Sequence, residues 1–89
     1  MNRKTVKQKF RIYHWGGFSN GVELPEITLG YIVIQRNFLI DRDGNIKLDS
    51  KACDRLLVID DADIDCLWSE VILQEFFPGF TGYALDGEV

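Results

Sequence analysis

The sequence predicts an α+β domain, a small antiparallel or mixed sheet of four to five strands packed by one long C-terminal helix. Three observations predict it. Side chains alternate with period two over residues 5–15, β-branched and aromatic residues crowd 27–36 ahead of a turn-rich hairpin, and apolar residues recur at helical spacing over 61–77. At 89 residues and 10.2 kDa, the material suffices for a single domain spanning 1–89.

The first strand, 5–15, sends Val6, Phe10 and Ile12 one way, with Gln8 and His14 among them, and Lys7, Lys9, Arg11, Tyr13 and Trp15 the other. With few strands and no closure, it is expected at a sheet edge, guarded by its lysines. Residues 16–26, with Gly16, Gly17, Gly21, Ser19, Asn20 and Pro25, read as a loop. The next strand, 27–36, is apolar on both faces through Tyr31-Ile32-Val33-Ile34, the pattern of a central strand covered on both sides. Gly30 within it marks a bulge or a close backbone approach.

A break is expected at Asn37, followed by a hairpin over 38–48 whose turn, Asp41-Arg42-Asp43-Gly44-Asn45, combines side-chain acceptors with a glycine for positive φ. A twelve-residue calcium loop starting at Asp41 needs Gly at its sixth place and Glu at its twelfth, where Ile46 and Ala52 stand, so the turn reading is preferred. Residues 51–59 form either a strand through Leu56-Leu57-Val58-Ile59 or a short helix capped by Ser50; the strand is preferred.

The helix, 61–77, is expected to start at the Asp60, Asp61 and Asp63 cluster, which suits the positive end of the macrodipole. Ile64, Leu67, Trp68, Val71, Ile72 and Phe76 make its main stripe, while Cys66, Leu73 and Phe77 make a second apolar line that either the tail, 78–89, or a partner must cover. Pro78-Gly79 ends it.

The net charge of −4 argues against a general binder of nucleic acid or acidic membranes, yet it hides a gradient. Residues 1–20 carry five bases and no acid, and residues 57–89 carry eight acids and no base. Neither a disulfide framework nor a zinc motif arises from Cys53 and Cys66. The basic first residues are not followed by an apolar signal segment, and a cytoplasmic location is expected. His14, the lone histidine, stands in no motif with a nucleophile, the glycine-rich 16–21 stretch lacks phosphate-loop spacing, and the aspartate cluster is better explained by capping than by a metal. No catalytic residue, metal or cofactor is assigned.

Two sites are expected. An acidic C-terminal helix, through Asp63, Glu70, Leu73 and Phe77, would make the chain a non-enzymatic protein-binding module of inhibitor, immunity or adaptor type, with a homodimer as one form of that reading. The alternative is an anion-binding face of Lys7, Lys9, Arg11, Tyr13 and Trp15, where cations neutralise phosphates and aromatic rings stack on bases.

Overall fold

A computed structural model describes residues 2–49 and 53–89. The chain runs β1 (Asn2–His14), β2 (Phe18–Ser19), β3 (Val22–Glu23), β4 (Ile27–Ile40), β5 (Ile46–Leu48), β6 (Arg55–Ile59), β7 (Ala62–Leu67), α1 (Glu70–Phe76) and β8 (Gly82–Glu88). Six strands form one antiparallel sheet in the order β7-β6-β4-β1-β8, with β5 also pairing with β4; β2 and β3 form a separate small hairpin. Strands take 61% of the described residues and helix 8%. The expected α+β sheet packed by one long C-terminal helix is therefore overturned: the fold is a mostly-β sheet with one short helix.

The expected helix 61–77 divides because Asp60 and Asp61 make a hairpin turn. Asp60 adopts a positive φ of 51°, which Asp tolerates better than most residues, and Ile59 pairs with Ala62 to close the turn. Ala62, Ile64 and Cys66 then alternate with Asp63 and Asp65, a strand's period inside a helix-like composition. Helix formation waits for Ser69, whose hydroxyl accepts from the Val71 N–H as N-cap, and α1 has seven residues.

The tail also departs from expectation. It becomes β8, pairing antiparallel with β1 through Phe10↔Leu85 and Ile12↔Tyr83, so β1 lies inside the sheet rather than at its edge. At Asn37 the strand does not break, because Thr5 pairs with it across β1 and donates its hydroxyl to the Asn37 side chain at 3.0 Å. Residues 16–26 hold β2 and β3 around Asn20 (φ 53°) and Gly21 (φ 77°), two consecutive left-handed residues of the type a two-residue hairpin needs. The 41–45 turn follows its sequence, with Asp41 Oδ1 accepting from the N–H groups of Asp43 and Asn45 at 2.9 Å. Within 51–59, Arg55–Ile59 form β6, the strand preferred from the sequence, and the Ser50 cap falls outside the described residues.

The core lies on one face of the sheet. Phe10, Ile12, Ile32, Ile34, Leu56 and Ile59 meet Leu73 from α1 and Phe77 at its C-cap, with Trp68, Phe80 and Tyr83 packed around them. Burying a side chain such as Leu73, which is 0% exposed, contributes about 1.5–3 kcal/mol. That one-sided covering defines the surface available for function.

Candidate interaction face

The sheet face away from α1 is built by register. Lys9 pairs with Val33, Val33 with Val58, and Val58 with Asp63, so one row crosses four strands as cation, two valines, anion. Directly paired residues share a face, and alternation adds Lys7, Arg11, Tyr31 and Gln35 to it. Lys7, Val33, Leu57, Val58, Asp63, Asp65 and Val89 line an open groove of about 340 Å³ along this surface. The described residues that pack over the sheet from outside it, Trp68, Ile72, Leu73, Phe77 and Phe80, lie with the core on the opposite face.

Charges on the face are unequally engaged. Arg11 is paired with Glu26, donates to Thr28 Oγ1 at 3.3 Å, and lies 5.1 Å from the Tyr13 ring centroid. Arg55 donates to Asp65 at 2.7 Å, and that hydrogen bond, with the attraction between the charges, raises the guanidinium pKa further above its usual range. The Lys9 ammonium sits 4.7 Å above the Tyr31 ring, a cation–π contact that leaves its charge uncompensated. Lys7, Lys9, Asp61 and Asp63 enter none of the four ion pairs among the described residues.

The expected partner-binding set is not brought together. Leu73 and Phe77 are 0% and 6% exposed and face the chain's own sheet, because β8 and the core strands supply the cover that a partner was expected to supply. Glu70, at the first turn of α1, accepts the Tyr83 hydroxyl at 2.9 Å. Asp63 stands on the opposite face from α1, at the end of the charged row.

The anion-binding set is partly assembled. Lys7, Lys9 and Arg11 do share the uncovered face, whereas Trp15 lies beyond β1, its ring edge-on to Phe18 at 5.7 Å and its backbone N–H donating to Thr81 Oγ1 at 2.8 Å. Tyr13 reaches β8, where its hydroxyl closely approaches Gly82. Three cations followed by two aromatic platforms in line is therefore not the arrangement found.

Tyr31, Val33, Leu57 and Val58 were missed by sequence reasoning. Their apolar runs suggested cover on both sides, and the strand's own parity with Lys9 depends on a register that no local pattern carries. No group of three or more His, Cys, Asp or Glu among the described residues is placed to hold a metal ion. Cys53 is exposed, Cys66 is half-buried, and neither is in a disulfide. No described helix is long and apolar enough to cross a membrane. Compared with known protein families, curated proteins and solved structures, the chain finds no match, so the functional reading rests on this geometry.

Proposed function

We propose that the chain is a non-enzymatic protein-binding module of inhibitor, immunity or adaptor type, acting in the cytoplasm, and that it docks through the uncovered sheet face. The observation that carries this reading is the row Lys9–Val33–Val58–Asp63, an apolar centre flanked by unpaired charges of opposite sign. Protein interfaces share that anatomy, with a dry middle and a polar rim that fixes orientation. The half-exposed Tyr31 adds an aromatic surface of the kind enriched at such interfaces. The free thiols of Cys53 and Cys66 accord with a reducing compartment.

Nucleic acid is the weaker partner for the same face. Arg11 is already neutralised by Glu26, and Asp63 and Asp65 border the groove opposite the lysines, where they would repel a phosphate chain. Affinity capture from the source cell with three baits tests the choice: the unaltered chain, Val58→Lys on the face, and Val71→Lys on the exposed side of α1. A protein retained by the first and third and lost by the second is expected. An identical set of captured proteins for all three would sink the assignment, and nuclease-sensitive capture of nucleic acid would replace it with the alternative.

A further inference from the structure

Resting on the reading of this face as a protein-docking surface, we infer that its occupant is a second copy of the chain. Charge order along the Lys9–Val33–Val58–Asp63 row supplies the reason. A two-fold axis lying in the interface, parallel to the strands and passing between β4 and β6, reverses every row while keeping each residue at its own height. It sets Lys9 of one protomer over the partner's Asp63 and Val33 over the partner's Val58, each contact occurring twice. An in-plane axis across the strands would instead put Lys9 over Lys9 and is rejected by repulsion.

Within one chain these charges do not satisfy each other. Lys9 and Asp63 are three strand spacings apart, about 14 Å, beyond the Debye length of roughly 8 Å at physiological salt. Across two sheets stacked about 10 Å apart, long side chains from facing strands can meet. The molecule measures 54 × 30 × 21 Å, so covering about half of its broad face provides the ~800 Å² per partner of a standard interface.

Sedimentation velocity or light scattering on the full chain, from micromolar to millimolar, tests this. A concentration-dependent dimer that weakens with salt is expected. Lys9→Glu alone and Asp63→Lys alone each turn two attractions into repulsions and should raise the dimer Kd roughly tenfold. Their equimolar mixture should recover mixed dimers, because both ends of the row are then acidic in one protomer and basic in the other, so each end meets its opposite charge. Circular dichroism confirms that each variant keeps its fold. A strictly monomeric unaltered chain overturns the inference, and so does a dimer indifferent to both substitutions or a mixture that fails to recover. A monomer whose captured protein is still lost on Val58→Lys overturns the second copy while retaining the protein-binding reading.

Discussion

Gly30 lies directly beneath the Phe77 ring. A Cβ built on it would stand 2.5 Å from Phe77 Cε1 and 2.6 Å from Asp60 Oδ1, closer than real side chains approach, so the glycine seats both α1 and the β6–β7 turn on β4. It also pairs with Ile12 beside the register shift in β1 and β4. Gly30→Ala is expected to destabilise the fold by about 1–3 kcal/mol through overpacking. The measurement is the urea midpoint at unchanged slope. Stability equal to the unaltered chain would show that the Phe77 ring has an alternative seat.

The face of α1 that points inward can be read by contrast between near neighbours. Leu73 is fully buried among Phe10, Ile32, Leu56 and Phe77, whereas Val71 is 67% exposed. Leu73→Ala should cost about 2–5 kcal/mol, a large part of the roughly 5–15 kcal/mol typical of a domain, because it removes packing and leaves a cavity. Val71→Ala should change stability by no more than about 0.5 kcal/mol. Thermal or chemical unfolding of the pair decides it, and equal losses would contradict the described orientation of the helix.

What local pattern controls was legible in the sequence. Alternation through Val6, Phe10 and Ile12 placed the inward face of β1, the side-chain acceptor of Asp41 and positive φ of Gly44 made the 41–45 turn, and the crowding at Gly30 followed from a glycine inside a strand. The misreadings came where one composition serves two structures. Asp60-Asp61-Ala62-Asp63 suits a helix start by charge and a hairpin by φ, and the pairing of Ile59 with Ala62 decides for the hairpin. Phe80, Tyr83 and Leu85 looked like a loose cover, yet the backbone of β1 offered ladder partners that turned them into a strand's flank. The interaction face was the least legible part. Lys9 and Asp63 join one row only through three successive registers, and a slip of one residue in any of them would send the side chains to the other face.

Ser69 decides where helix begins after β7. Its extended backbone and its hydroxyl, accepting from the Val71 N–H at 3.2 Å, satisfy a donor that a first helical turn leaves free. Ser69→Ala should therefore cost about 1 kcal/mol, while Ser69→Asp, which keeps an acceptor, should retain most of the stability. Urea denaturation of both variants is the measurement. Equal losses in the two would move the effect from capping to the packing of the neighbouring Trp68 ring.

Tyr83 gives the fold an alkaline limit. Burial raises its phenol above the usual value near 10, and the hydrogen bond that the hydroxyl donates to Glu70 at 2.9 Å raises it further. Below the unfolded-state pKa the neutral phenol's contribution is fully present. As pH rises past about 10 the unfolded chain loses this proton first, the native state holds more protons, and stability falls until the native phenol has also ionised. Tyr83→Phe keeps the edge-on ring positions against Phe10 and Trp68 at 5.8 and 5.9 Å but loses the donor, so at neutral pH it should be less stable by about 1 kcal/mol. That gap should narrow above about pH 10, because only the unaltered chain has this proton to lose. Unfolding curves for both chains across that range isolate the tyrosine from the lysines they share, and a gap that stays constant with pH would mean that the Glu70 contact does not hold the phenol neutral.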